Sequence, residues 1–587
     1  MDKEQQSLIA YYQKELEALR VEGNTFALRF PNIASFLDLG KTPSKDPHIE
    51  RLLESFAFLT GRLQRQIDDL APETATALLD ALYPSFTRPI PSMALFCCAL
   101  DFDRCAQNPG ALISRGSVLF TTRSDGAVCS FRTSHDLTLW PLQVLNTQIV
   151  IPEELSMEAS AYLHLRLRWG GPIGQGPERL RFYLTGEAQK QNRLYQALFM
   201  QDFPVFYSTE SAPQALVPLR TIGLTKEDQL LPFSHQEHRG FRLLEEYFAF
   251  PQKFLGADIA AIPAEAWQET ISFFLPLTSA AGKSLDVSPS LFGFHCVPGI
   301  NLFDVVSEPL TWDYTETETL LVPDQRQYAS QEIYDIVRVM GVDPKNAKEE
   351  EIPPYYAPTF STQQQAPTLF WTARRKPALR DQGTDVFLSL INTDFHPERS
   401  EEKILYAHTV CTNRWAAADI PAGGAFQIEK NLPITALFCM ERPTTPKEAL
   451  GRGEALWSLV SLLSLESLSF VAEEETLARL KDLLWVLSTR IAPARQEIRN
   501  ITGLSCRSVT RRLGRDGWRG FVPGQEITLE IQESAEETSN PLLLSGVLAE
   551  FFRSYTSYNS FVETILHDPQ EKRQREWSRQ FGYQHDL

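Results

Sequence analysis

Asp46-Pro47-His48-Ile49-Glu50-Arg51-Leu52-Leu53-Glu54-Ser55-Phe56-Ala57-Phe58-Leu59 opens the stretch that organises this chain, and Arg88-Pro89-Ile90-Pro91-Ser92-Met93 closes it. Asp46 can cap a helix, Pro47 suits the first helical position, and Glu50 lies in the first turn. Apolar residues then recur at Ile49, Leu52, Leu53, Phe56, Leu59, Leu63, Ile67 and Leu70, the spacing of one helix face. Glu50, Arg51, Glu54, Arg62, Gln64, Arg65 and Asp68 occupy the other face. A second, shorter apolar helix (Leu78, Leu79, Leu82) is expected after Pro72 and ends at Tyr83-Pro84. From Pro84 onward the prolines forbid helix and set an extended connector. Beyond Met93 the hydrophobic period drops to two. One long amphipathic helix is therefore joined by a proline-rich connector to a β-rich body.

Working outward, Leu8, Tyr12, Leu16 and Leu19 repeat at helical spacing and continue weakly to Phe30, where Pro31 stops them. Residues 1–90 thus read as a helical N-terminal region with little of its own to cover its apolar faces. Strands follow at 117–121, 128–133, 137–145, 162–169 and 180–184. The clearest is Tyr162-Leu163-His164-Leu165-Arg166-Leu167-Arg168-Trp169, whose leucines and polar residues alternate as in a half-buried antiparallel strand. A short helix is expected at 188–199 and a helical segment at Phe241–Phe250. A second β-rich region, residues 256–442, has strands at 271–275, 291–296, 319–322, 384–391 and 404–411. Within it 343–368 reads as an exposed loop rich in Glu, Gln and Pro. Past Pro443-Thr444-Thr445-Pro446 come helices at 454–471 and 474–487, a strand at 526–532, a helix from Val547 to Leu566, and a loose basic tail. The expected fold class is α+β multidomain: helices at 1–90, β-sandwich-like domains at 91–255 and 256–442, and a mixed α/β domain at 443–587.

The 587 residues allow about three or four domains. Hydrophobic residues at 43% and aromatics at 11% fit a soluble globular protein. A net charge of −18 argues against a nucleic-acid surface and against a face held on anionic lipid. The polar start Met1–Gln6 is not a secretory signal, and the apolar window Leu456–Val471 is too short for a bilayer and contains Glu466. The eight cysteines show no C-x-x-C spacing, which fits reduced thiols in a cytosolic protein.

Signals for chemistry are weak. Gly171-Pro172-Ile173-Gly174-Gln175-Gly176 has glycines at phosphate-loop spacing, but Pro177-Glu178 stands where Lys-Ser/Thr is needed, so it reads as a turn between strands. His235 and His238 flank Glu237 without a third ligand nearby. Asp68-Asp69 and Glu245-Glu246 are adjacent pairs, and adjacent helical residues do not share a face. No catalytic, cofactor-binding or metal residue is assigned. The distinctive feature is apolar surface on long helices, which serves either packing within the chain or an intersubunit bundle.

Several motifs, in this order, carry a family resemblance. They are Tyr11-Tyr12-Gln13-Lys14-Glu15-Leu16, Phe30-Pro31-Asn32-Ile33-Ala34, Leu53–Leu59 with Leu82-Tyr83-Pro84 and Arg88–Ala94, and Phe131-Arg132-Thr133 with Leu139-Trp140-Pro141-Leu142. After these come Leu243–Pro251, Asn301-Leu302-Phe303, Gly383-Thr384-Asp385-Val386, Cys411-Thr412-Asn413-Arg414 and Asn559-Ser560-Phe561. Together they resemble the TssF family, baseplate wedge subunits of the bacterial type VI secretion system. Residues 343–368 and 577–587 depart from its pattern. The resemblance implies a cytoplasmic structural protein, not an enzyme, needing no cofactor, in a baseplate docked on the inner-membrane complex of a Gram-negative bacterium. It implies that two copies join one TssG in a wedge core that recruits TssE and TssK around the VgrG hub. Sheath and tube then polymerise on that platform. Leu52, Phe56, Leu59, Leu63 and Ile67 would form the bundle stripe with the second copy and TssG. Leu548, Phe552, Tyr555 and Tyr558 would serve a three-way junction, and Pro84, Pro89 and Pro91 a hinge. The rival readings are a β-sandwich carbohydrate-active enzyme, which needs two carboxylates converging on a cleft, and a generic cytosolic adaptor.

Overall fold

The computed structural model describes residues 12–13, 15–16, 19 and 47–582, apart from 124–125, 152–158, 160, 210–212, 234–237, 279–284, 313–315, 344–347, 356–368, 379–382, 394–402, 450–472, 489–493, 514–519, 533–539 and 569–572. Within the long helix, the side chains of 49, 64–77 and 80–82 lie outside that description. The chain forms two compact units, 1–87 with 450–465, and 88–449 with 466–587. The helix expected at 454–471 falls outside the described residues.

In the first unit, Pro47–Leu82 is one helix of 36 residues, about 54 Å long at 1.5 Å per residue. It runs through Pro72, where the sequence suggested a break. Pro84–Thr87 is a 3-10 turn instead of extended chain, closed by Phe86 N–H to Tyr83 O at 3.1 Å and Thr87 Oγ1 to Pro84 O at 2.9 Å.

The second unit is built around a closed barrel whose strands, in spatial order, are Met93–Leu100, Cys296–Ile300, Val128–Thr133, Val118–Thr122, Ala425–Ile428 and Ile434–Cys439. Its strands come from both sides of residue 255, so the expected division there does not separate two sandwiches. Sequence shows strand periodicity but not which strands separated by hundreds of residues will pair. Phe96, Phe131 and Phe426 meet edge-on at 4.8–5.6 Å in the barrel interior. Gly299 is the glycine this demands: a Cβ there would lie 2.6 Å from the Phe96 ring.

Further sheets surround the barrel. One carries Ala161–Trp169 between Thr270–Leu277 and Leu142–Val150. Another sets Leu180–Leu184 beside Gly256–Ile259. A third pairs Glu332–Val342 with Lys403–Thr412 over a core of Trp312, Ile333, Val339, Leu388, Leu405 and Ala407. Its next strand, Glu349–Ile352, lies in the stretch expected to be an exposed loop and pairs with Val339–Val342.

At the C-terminus, the hairpin Ile501–Leu513 and Gly520–Ile531 leads through the helix Pro541–Tyr555 to a parallel strand, Phe561–Asp568. The expected helix to Leu566 therefore stops at Tyr555. Val562, Ile565 and Leu566 belong to a strand, and their bulk suits a buried strand as well as a helix face. Arg573–Glu576 and Gln580–Phe581 pair with that strand, so the tail expected to be loose is part of the sheet up to Phe581.

Candidate interaction surface

Over residues 52–63 the long helix buries its small residues and exposes most of its large ones. Ala57 is fully buried, Gly61 is buried, and Leu53 and Thr60 are half-buried. Leu52, Phe56, Leu59 and Leu63 are 68, 58, 57 and 57% exposed. At about 100° per residue these four fall within roughly 60° of arc, a continuous apolar stripe. Phe58, 45% exposed, adds to the apolar surface. Burying a large apolar side chain is worth roughly 1.5–3 kcal/mol, and exposed apolar patches of this kind mark interaction surfaces. Ile67, assigned to the same stripe, has its side chain outside the description.

The other expected interface residues are placed differently. Leu548 is fully buried and Phe552 is 1% exposed. They lie on the C-terminal helix, which packs on the helix Arg239–Ala249. Tyr555 lies tilted against His238, ring centroids 4.1 Å apart, and meets Phe551 at 5.0 Å. Tyr558 is 63% exposed but lies in the turn beyond the helix. The four do not make a surface stripe, because Leu548 and Phe552 are packed inside and Tyr558 lies beyond the helix end at Tyr555.

The three prolines expected to form a hinge lie at the boundary between the units. Pro89 and Pro91 are buried. Between them Ile90 exchanges both backbone hydrogen bonds with Lys447, at 2.8 and 2.9 Å. Arg88 pairs with Asp335 at 2.8 Å and lies over the Tyr334 ring. The segment 88–91 is pinned to the second unit, and Pro84 opens the 3-10 turn on the other side of the boundary.

The motif residues of the body hold the fold together. Glu246, fully buried, accepts from Leu230 N–H and Leu231 N–H at 2.9 and 2.7 Å and pairs with buried Lys253. Its neighbour Glu245 pairs with Arg242 at 2.8 Å, and Arg242 reaches the Tyr334 hydroxyl at 3.4 Å. Asp228 and Asp258 hold Arg181 at 2.6 and 2.8 Å. Although burial opposes ionisation, Arg181 and the Thr225 hydroxyl keep the Asp228 carboxyl low, at about 2. Arg414, in a left-handed conformation at φ 47°, pairs with Asp385 at 3.1 Å and donates to Gln331 O at 2.8 Å. Sequence marked Glu245-Glu246 as an adjacent acidic pair but not the cations, since Arg242 and Lys253 are recognisable as partners only once the helix packs.

Among the described residues no three His, Cys, Asp or Glu are grouped to hold a metal ion. Gly171–Gly176 lies between two strands, with Trp267 Nε1 donating to Pro177 O at 3.0 Å just beyond it. A cleft lined by Tyr195, Phe199, Leu542, Val547, Arg575 and Trp577 is mainly apolar, and its arginine is engaged by Asp202 at 2.6 Å. No described helix is long and apolar enough to cross a membrane.

The chain is 29% identical over 629 aligned residues to the type VI secretion system component TssF1 of Pseudomonas aeruginosa, with 99% of each covered. Its fold is similar to a chain of the TssK-TssF-TssG baseplate subcomplex solved by cryo-electron microscopy, with a TM-score of 0.72 at 21% identity, covering 92% of this chain and 99% of that one. It is also similar to a chain in the baseplate complex from the type VI secretion system, with a TM-score of 0.60 at 20% identity, covering 99% and 100%. Residues 4–584 match the profile of the family described as type VI secretion system, TssF. The chain belongs to the TssF family.

Proposed function

We propose that this chain is a structural subunit of a type VI secretion baseplate and that it acts by assembly and not by catalysis. The exposed stripe Leu52, Phe56, Leu59 and Leu63 carries the reading, because this face of a 36-residue helix has no partner among the described residues. Membership of the TssF family and likeness to a chain of a TssK-TssF-TssG subcomplex support the choice of partners. In this reading two copies and one TssG bury their stripes, Ile67 included, in a shared helical bundle. The resulting wedge core engages TssK and TssE, and wedges gather around a VgrG hub on the cytoplasmic side of the inner-membrane complex. Tube and sheath grow from that platform. Two copies around one TssG have unequal surroundings, so a bundle face that tolerates more than one neighbour suits the role.

The test is the native mass of the full chain co-expressed with its TssG, compared with the chain alone. A two-to-one complex is expected, with the lone chain self-associating. A monodisperse monomer indifferent to TssG would overturn the proposal.

A further inference from the structure

Cys97 and Cys296 face one another across the seam where strand Met93–Leu100 joins strand Cys296–Ile300. Cys98 N–H donates to His295 O at 3.1 Å, continuing the same register by one residue. In an antiparallel ladder hydrogen-bonded and non-hydrogen-bonded pairs alternate, so Cys97 and Cys296 occupy a non-hydrogen-bonded pair. There the Cα atoms stand about 4.5 Å apart and the side chains are at their closest, inside the span of about 4.4–6.8 Å that a disulfide bridges. The side chains already converge on one apolar cluster, Cys296 buried in it and Cys97 packed against it. Cys97 Sγ lies 3.7 Å and Cys296 Sγ 3.5 Å from one acceptor, Phe294 O.

We propose that Cys97 and Cys296 form an oxidation site, a dithiol across the barrel seam that a peroxide closes to a disulfide. Peroxide first oxidises the Cys97 sulfur to a sulfenic acid, breaking its O–O bond and releasing water. The Cys296 thiol then attacks that sulfur. The S–S bond forms, the S–O bond breaks, and a second water leaves with the Cys296 proton. Two electrons pass from the thiols to the peroxide. Cys97 is the half-buried member and the point of entry. The neighbouring Cys296 thiol holds the Cys97 pKa below the ordinary thiol value, while Cys97 and burial push Cys296 well above its own, so Cys97 is the more nucleophilic sulfur. Cys98, next in sequence, belongs to the barrel interior, on the opposite face of the strand from Cys97 and Cys296. The seam thus has one competent pair, even though three cysteines lie close together.

The bond would tie two strands that are far apart in sequence, and a cross-link closing a long loop restricts the unfolded chain. The full-length reduced protein, freed of reductant, is treated with hydrogen peroxide and digested without reduction. Loss of two titratable thiols per chain is expected, with fragmentation spectra joining Cys97 to Cys296 and dithiothreitol restoring both thiols. Cys98→Ser keeps the link; Cys97→Ser and Cys296→Ser each abolish it. The urea midpoint of the unsubstituted protein rises on oxidation and returns on reduction, a readout that needs no variant to fold. A Cys97–Cys98 or interchain bond, or Cys97 overoxidised beside an intact Cys296 thiol, would overturn the assignment. So would a link that leaves the midpoint unmoved.

Discussion

Asn413 donates its backbone N–H to Asn301 Oδ1 at 2.7 Å, and Asn301 Nδ2 donates back to Asn413 Oδ1 at 2.7 Å, across 112 positions of sequence. The same two side chains reach the barrel strand Val128–Thr133. Asn301 Nδ2 donates to Ser130 O at 2.7 Å, Ser130 N–H to Asn413 Oδ1 at 3.0 Å, and Asn413 Nδ2 to Val128 O at 2.9 Å. Both residues are fully buried. They tie the barrel to the sheet that carries Lys403–Thr412, so the Asn301-Leu302-Phe303 and Cys411-Thr412-Asn413-Arg414 motifs are two halves of one joint.

Asn301→Ala would strand a buried N–H and leave a carbonyl without its donor, at about 1–3 kcal/mol for each unsatisfied group. Asn301→Asp should cost more, although it is nearly isosteric. One carboxylate oxygen still accepts from Asn413 N–H, but the other replaces the amide that faces Ser130 O and Asn413 Oδ1. Urea midpoints at neutral pH should be highest for the unsubstituted protein, lower for Asn301→Ala and lowest for Asn301→Asp. An aspartate variant as stable as the unsubstituted protein would contradict this account of the joint.

The Lys253–Glu246 pair yields a test by double substitution. Lys253→Met leaves a carboxylate buried without its cation and should cost about 3–5 kcal/mol. Adding Glu246→Gln removes that stranded charge, while the amide oxygen still accepts from Leu230 and Leu231 N–H. The double variant should therefore be more stable than Lys253→Met alone, as read by urea unfolding. Additive losses would mean that the cost lies in packing and not in the charge.

How much of this was legible beforehand varies by element. Alternation in Tyr162–Trp169 and the helical stripe of Ala188–Phe199 locate those elements within a residue, because each period reports its own burial. The barrel is not legible that way: Phe96 and Phe426 read as apolar positions in separate strands, and only closure puts them in contact. Ile501–Leu513 carries Thr502, Ser505, Arg507, Ser508, Arg511 and Arg512, too polar to stand out as a strand, and it forms through pairing with Gly520–Ile531. The apolar stripe at Leu52–Leu63 was legible as a face, but which side of the helix its own unit covers depended on the placement of Ala57 and Gly61. For Leu548 and Phe552 the same pattern meant internal packing.

Three histidines set the acid limit of stability. Burial, aided by Arg181 for His135, holds His135, His238 and His295 at about 4. His238 Nε2 donates to Ser554 O at 2.9 Å, while His238 Nδ1 and His135 Nε2 are buried without partners. A proton on either nitrogen would have no acceptor. Each folded pKa lies below the unfolded value near 6.5, so the unfolded chain binds more protons between those limits and stability falls as pH drops from about 6.5 to about 4. Glu497 opposes them. Burial raises it to about 7 against the hydrogen bond from the Tyr247 hydroxyl, so its contribution is present below about 4.5 and lost as pH rises to about 7. With three groups against one, the stability of the full chain should peak near pH 6.5 and fall toward pH 4.5. His238→Gln should flatten the acid limb and Glu497→Gln the decline between 6.5 and 7; unchanged slopes in both would refute the assignment.

The apolar stripe gives the most direct functional prediction. Phe56 and Leu63 are more than half exposed, so changing both to aspartate removes little intramolecular packing, and surface changes of this kind usually stay within about 0.5 kcal/mol each. In a bundle the same two positions would bring unpaired carboxylates into an apolar contact, where an uncompensated charge costs several kcal/mol. Phe56→Asp with Leu63→Asp should therefore leave the far-ultraviolet circular dichroism and thermal midpoint of the chain near those of the unsubstituted protein and abolish recovery of a complex with TssG. Arg62, exposed between the two on the helix, is the control. Arg62→Asp adds a carboxylate on the same turn but off the stripe and should leave assembly intact. Assembly retained by the double variant would show that the stripe is not the contact; assembly lost equally with Arg62→Asp would show an effect of net charge and not of the apolar face.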